Sequence, residues 1–466
     1  MIAYLKKGGF GLTQNKAVFE DMPVPRALAT LAVPTIISQL ITMIYNLADT
    51  FFIGRTNDPL KVAAATVSFI LLFMMSAWAN LFGVGGGSLI SRLLGEKRPE
   101  EAKTVAAFSF WGAVLIGLLY SAAVLIFMDP VLYLIGASEN TIVYAREYAL
   151  WVVVVGGIPT TLSMTLAHLL RSEGFAKDAS LGLGMGGVLN IILDPLFMFV
   201  ILPEGQEVKG AAMATMLSNL CTFGYMLTVY LKKTKDTSMS VSLRGAAEGI
   251  RHAGEVLAVG LPSAINTLLS CLSNSTINSL MTSHGDIQMA AMGVVKKIDM
   301  LPMNIGMGLC QGMLPLVAYN YAAGNYKRMK AVSNTARLWG IGFAVICIAA
   351  FELFTGSIVR FFIDEPNTLA LGTDFLRIAC LATPLMVTNV QMNYTFQAMG
   401  KGKQSLLLSS CRQGLVNIPL LFLMNHLFGM YGIVWTQFIA DAITLIISFS
   451  LYAGLYKKLR ENKSAV

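Results

Sequence analysis

The chain has 466 residues, of which 55% are hydrophobic and 13% charged, and a mean hydropathy of +0.64. Ordinary soluble domains carry about 25% charged residues, so this composition excludes a soluble enzyme or binding module and indicates an integral membrane protein. The net charge of +8 does not indicate nucleic acid, because it follows the loops in alternation instead of forming one basic face.

A membrane-spanning helix needs about 20 apolar residues. Windows of that length lie near 30–53, 61–83, 104–127, 147–170, 180–201, 209–231, 254–280, 288–314, 332–354, 375–399, 405–425 and 431–456. Each has helical length, whereas a membrane barrel would show alternating segments of about ten residues. Counting loops on alternate sides, 24 basic residues share one side, among them Lys6, Lys7 and Lys16 near the start and Lys458, Arg460 and Lys463 near the end. Only Arg55, Lys61, Arg146, Lys209 and Arg360 fall on the other. The positive-inside rule then places both ends of the chain in the cytoplasm and requires an even number of spans. All six cysteines fall within spans and read as small packing residues.

The longest polar interruption, 232–252, divides the chain into 1–231 and 253–466, six spans each. The halves repeat one another. At an offset of 228, Pro34 in "LAVPTIISQL" meets Pro262 in "LAVGLPSAIN", and "FWG" at 110–112 meets "LWG" at 338–340. Six spans return the chain to its starting side, so the repeats are parallel and related by an axis along the membrane normal. The expected fold is an all-α integral membrane protein of twelve transmembrane helices in two six-helix lobes with pseudo-twofold symmetry.

Within this apolar background a few polar residues stand out. A carboxylate at the centre of a lipid-exposed helix costs about 3 kcal/mol. The run "VLNIILDPLFMF" nonetheless holds Asn190 and Asp194 one turn apart. Spans one and six add Asp49 and Thr215, and at 1.5 Å per residue all four lie about 6–16 Å from the outer span ends. Two carboxylates, an amide oxygen and a hydroxyl at similar depth suit Na⁺, which takes hard oxygen ligands, or a shared proton. Alternatively, Asn190 and Asp194 hydrogen-bond each other or cap a break at Pro195. The second half carries Ile277 and Leu421 at the registers of Asp49 and Asp194, so folding of a lobe does not call for the acids.

In the second half, Asp299 reads as the ion-pair partner of Lys296 one turn earlier. Asp441 has no partner near it in sequence and, with Asp299, is a candidate second acid site. Asn389, Gln391 and Asn393 either line a substrate cavity or join helices. Met300 and Met303 would suit an adaptable cavity wall. The lone His168 reads as a satisfied interior group. "GVGGGS" at 83–88 lacks the Lys-Ser/Thr of a phosphate loop and reads as a close helix contact. No stretch supplies a nucleotide site, so ATP is not expected as the energy source.

"LAVPTIISQLITMIYNLADTFFIGR", "LRSEGFAKDASLGLGMGGVLNIILDPLF" and "VAYNYAAGNYKRMK" resemble the multidrug and toxic compound extrusion family over nearly the whole chain. The resemblance implies a cation-coupled antiporter, using Na⁺ or H⁺ and no other cofactor, that exports organic, often cationic, amphipathic compounds. It implies a cytoplasmic-membrane monomer that binds a small-molecule substrate but neither nucleic acid nor ATP. In the branch most resembled, the coupling site is in the N-lobe, which carries over onto Asp49, Asn190, Asp194 and Thr215, and Pro34 matches a proline where the first helix bends. Another branch couples through an acid in span ten, and 378–399 contain none. A lipid-precursor flippase sharing the two-lobe plan, or a passive channel, is the alternative.

Overall fold

The computed structural model describes residues 17–464 apart from 57 and 236. Lys6, Lys7 and Lys16 lie outside the described residues, as do the side chains of Lys458, Arg460 and Lys463. After a π-helical turn at Ala17–Asp21, the N-lobe comprises α1 (Val24–Gly54), α2 (Pro59–Gly95), α3 (Pro99–Ile126) and the short α4 (Met128–Leu134). It continues with α5 (Ile142–Ala149), α6 (Gly157–Ser172), α7 (Ala176–Leu196) and α8 (Glu207–Lys233). The segment between the lobes is more than a loop, since it carries α9 (Leu243–Gly249). The C-lobe comprises α10 (Ala253–Thr282), α11 (Asp286–Ala322), α12 (Tyr326–Phe362), α13 (Pro366–Cys380), α14 (Thr383–Ala398), α15 (Gly402–Ser410) and α16 (Asn417–Ser464).

These elements give twelve spans. Among the described residues nine stretches are long and apolar enough to cross a bilayer, and two bent pairs add two more: α5–α6, bent by 55°, and α13–α14, bent by 45°. The twelfth is hidden in the stretch Gly402–Leu455, whose 54 residues would extend about 81 Å against a hydrocarbon core of about 30 Å. It breaks at Gly429, whose φ of 59° and ψ of −143° are open to glycine and strained for other residues. The two bent pairs occupy equivalent places in the halves, spans four and ten. Pro34 and Pro262 each lie inside an unbroken helix, α1 and α10, so the first span passes through its proline without interruption. Helix α1 begins at Val24, earlier than its hydropathy window, because Pro25 is favourable in a first helical turn.

Within the N-lobe α1 packs along α7, and α2 along α3 and α6; between the lobes α2 meets α10 and α1 meets α11. The lobe contact is made on glycine. A side chain on Gly260 of α10 would overlap the backbone of Leu81 on α2, and one on Gly85 would overlap the carbonyl of Val256. Gly312 and Gly308 of α11 lie similarly against Ala32 and Ile36 of α1, and Gly95 against the carbonyl of Tyr319. The reading of "GVGGGS" as a close helix contact therefore holds. These contacts lie in the halves of the helices nearest the inter-lobe segment, here called the basic end. Four cysteines are buried as expected and Cys271 is half-buried, but Cys221 is exposed.

At the basic end Arg328 helps fasten the two lobes. Arg328, at the start of α12, donates from Nε to the carbonyl of Phe19 at 2.8 Å and from Nη2 to those of Val18 and Met22 at 3.2 and 2.6 Å. Phe19 stacks on Tyr319 at 4.9 Å between centroids, and the Tyr319 hydroxyl donates to Glu20 Oε1 at 2.5 Å. Hydrogen bonds from a charged donor are worth about 1.5–3 kcal/mol each. Arg328→Ala should therefore accelerate amide exchange of residues 17–22 by about thirtyfold, a loss of about 2 kcal/mol. Unchanged exchange would show that the segment is held by other contacts.

Glu173, just beyond α6, anchors the inter-lobe segment by accepting from the Ser238 amide at 3.3 Å. Burial pushes its carboxyl up to about 7, against a usual value of 4.5. A carboxyl whose folded value is raised contributes stability that is complete below about 4.5 and lost as pH rises through about 7. The melting temperature should thus fall between pH 5 and 8, and Glu173→Gln should flatten that fall. Parallel curves for the two proteins would contradict the assignment.

Candidate functional site

The polar residues of the N-lobe come together. On α7, Asn190 donates from Nδ2 to Asp194 Oδ1 at 3.1 Å and to the Thr215 hydroxyl of α8 at 3.3 Å. Asp49 arrives from α1 and is close enough to Asp194 for the two carboxylates to interact electrostatically. All four residues are buried, Asp194 completely. Helix α7 can approach α1 this closely because Gly184 and Gly187 face Ile41, where a β-carbon on Gly187 would press on the Ile41 side chain.

The hydrogen bond between Asn190 and Asp194, the bland alternative, is present but does not complete the site. Asp49 Oδ1, Asn190 Oδ1 and Asp194 Oδ2 are buried without a hydrogen-bond partner among the described residues, and so is the hydroxyl of Tyr148 on α5. No Lys or Arg pairs with either acid among the described residues. A buried carboxylate left unpaired is costly, and an isolated charge in a low-dielectric site neutralises or finds a cation. The arrangement offers oxygen ligands from four helices to a small hard cation, or a pair of acids that share one proton. Among the described residues no three His, Cys, Asp or Glu cluster together.

Tyr148 was not legible as a site residue. It lies in the short helix before the bend of span four, where hydropathy marks only another apolar window. Tyr45, one turn before Asp49 on α1, also lies within electrostatic reach of both acids. Its i, i+4 spacing from Asp49 was the available signal.

The C-lobe differs in kind. Asp441 has the partners that its neighbourhood in sequence withheld: Arg412 Nε at 2.6 Å and Gln437 Nε2 at 2.8 Å, with Asn389 Nδ2 at 3.2 Å. It is a neutralised, fully bonded acid. The expected pair between Asp299 and Lys296 is not formed: Lys296 Nζ instead donates across to Asn278 Oδ1 on α10 at 2.7 Å. Asp299 lies within electrostatic reach of Arg412 and Asp441. The three polar residues of span ten are buried in bonds between helices, not in a cavity wall. Asn389 binds Asp441, Gln391 donates to Ser333 Oγ at 2.8 Å, and Asn393 donates to Ser409 Oγ at 2.9 Å. Met303 is 43% exposed and Met300 half-buried, so α11 does present thioether surface there.

A family model described as MatE matches the chain twice, over residues 34–196 and 262–423. The chain belongs to the MatE family. The two matched stretches start at the two repeat prolines, Pro34 and Pro262. Among curated relatives, the multidrug export protein MepA of Staphylococcus aureus (strain MSSA476) is 30% identical over 449 residues, covering 96% of this chain and 97% of that protein. MepA of Staphylococcus haemolyticus (strain JCSC1435) is 28% identical, with the same shares covered. Among solved structures, a multidrug resistance MATE family transporter of the MOP superfamily in an outward-facing conformation aligns with a TM-score of 0.89 at 24% identity, covering 98% of this chain and all of that one. A MOP superfamily transporter from Pyrococcus furiosus Vc1 (DSM3638) aligns with a TM-score of 0.88 at 25% identity over the same shares. This MatE chain is therefore a multi-pass membrane transporter with the twelve-helix, two-lobe architecture of those structures.

Proposed function

We propose that this MatE protein is an antiporter that couples inward flow of Na⁺ or H⁺ to export of organic, cationic amphipathic compounds, acting as a monomer in the cytoplasmic membrane. The observation that carries the reading is the set of partnerless buried oxygens on Asp49, Asn190, Asp194 and Tyr148. The basic end faces the cytoplasm by the positive-inside rule, so both ends of the chain are cytoplasmic. The lobes touch at that end, so a cleft between them would open outward. A cation arriving from outside binds between α1 and α7 and draws the two carboxylates together. Pro34 removes one amide from the hydrogen-bond ladder of α1, so that helix is the element able to bend in response. Bending would narrow the N-lobe face of the cleft and release the cargo.

For a monovalent cationic cargo a one-for-one exchange moves no net charge, so the concentration gradient of the coupling ion drives it, at about 1.4 kcal/mol per tenfold gradient. Each further coupling ion carried inward adds about 3.5 kcal/mol at about 150 mV. Export as the function of the MepA relatives, and their multidrug character, support the substrate class. Purified protein in proteoliposomes, loaded with a cationic dye, tests the reading: efflux should follow an imposed inward Na⁺ or proton gradient. Equal efflux with no cation gradient would identify a passive pathway instead.

A further inference from the structure

A second buried charge is unaccounted for by cation coupling. Arg171, near the basic end of α6, is only 4% exposed, and its Nε and Nη2 have no hydrogen-bond partner among the described residues. It forms no ion pair there either; Glu173, two residues on, is turned toward the Ser238 amide. The guanidinium borders a small, partly open space of about 10 Å³, room for about one water-sized particle. The walls come from both lobes. Gly83 and Gly87 of α2 and His168 of α6 lie on one side, and Gln311 of α11 and Tyr394 of α14 on the other. His168 fits there because Gly83 lacks a side chain: a β-carbon would stand 2.9 Å from the His168 ring.

We infer that Arg171 anchors a site for one small monovalent anion, of the size of chloride, in the floor where the two lobes meet. A buried guanidinium without a counter-charge is destabilising, and an anion that accepts from it removes that cost. The side chains around it, the Gln311 amide, the Tyr394 hydroxyl and the His168 imidazole, can all donate, and no carboxylate competes for the position. The size of the space selects a halide over a bulky organic anion. Because Gln311 and Tyr394 belong to the C-lobe and Arg171 to the N-lobe, the site is complete only while the floor is closed. Binding therefore favours the state described here over one opened at the basic end.

Thermal unfolding of the purified full-length protein in chloride, bromide or gluconate at matched sodium concentration tests this. Chloride and bromide should raise the melting temperature saturably by about 2–4 °C over gluconate. Arg171→Gln should abolish the difference, and Tyr394→Phe should raise the chloride concentration needed for half the effect. Identical melting in all three salts, or a full halide effect in Arg171→Gln, would overturn the proposal. If Arg171→Gln does not fold, crystals of the wild type in bromide decide: an anomalous peak beside Arg171 supports the site, and no peak there overturns it.

Discussion

Asp194→Asn should reduce gradient-driven efflux to the passive leak. The substitution keeps the shape of the side chain and an acceptor for Asn190, so the lobe should fold, but it removes one of two charges facing the cation. A unit charge at about 4 Å in surroundings of effective dielectric 20 is worth about 4 kcal/mol, or about a thousandfold in cation affinity. Dye binding measured without a gradient should persist, because the site is in the N-lobe interior and not on the cleft surface. Asp441→Asn provides the contrast. It leaves Arg412 facing a neutral amide in the C-lobe interior, and breaking a buried pair costs about 3–5 kcal/mol, so its expected effect is a lower melting temperature and yield. Normal coupled transport by Asp194→Asn would remove the N-lobe from the coupling mechanism.

Gly260→Ala should open the floor. The added methyl would overlap the backbone of Leu81, and backbone cannot turn aside as a flexible side chain can. Overpacking of this kind costs about 1–3 kcal/mol, and parting the lobes relieves it. Ser88 reports the outcome, since it is fully buried and its hydroxyl donates to the Gln397 carbonyl across the lobe boundary at 2.6 Å. In a background without the six native cysteines, Ser88→Cys should be labelled from the basic end about tenfold faster once Gly260→Ala is added. Transport should be lost at the same time. Slow labelling and normal efflux in the double variant would show that the floor tolerates the methyl.

Much of this was legible in the sequence, and the exceptions have physical causes. Span number, the paired prolines and the charge alternation follow from properties that act along the chain: length against bilayer thickness, and the cost of moving basic residues across it. Asp49, Asn190 and Asp194 were visible because an ionisable group in an apolar run has few structural reasons to be there. What failed was partner assignment. Lys296 and Asp299 are well spaced for a pair on one helix, but Lys296 reaches a neighbouring helix instead. Asp441 looked solitary because Arg412 stands 29 positions away. Sequence spacing reports partners within a turn, whereas buried charges here are neutralised across helices. Tyr148 and Arg171 were missed as site residues for a related reason: their significance lies in what they lack, and an absent hydrogen bond leaves no mark on the sequence.

The central claim is that the N-lobe acids form one site that holds either Na⁺ or a proton. Two carboxylates this close, with no basic residue beside them, cannot both remain ionised without a cation, so the two ions must compete. Isothermal titration of purified protein with Na⁺ at several pH values measures this directly. The apparent Na⁺ affinity should weaken as pH falls in the wild type, and Asp49→Asn and Asp194→Asn should each remove most of that dependence. Asn190→Ala, which deletes a neutral oxygen ligand and leaves both acids, should weaken Na⁺ binding while the pH dependence survives. Na⁺ binding that is unchanged in the Asp49 and Asp194 variants would contradict the shared site.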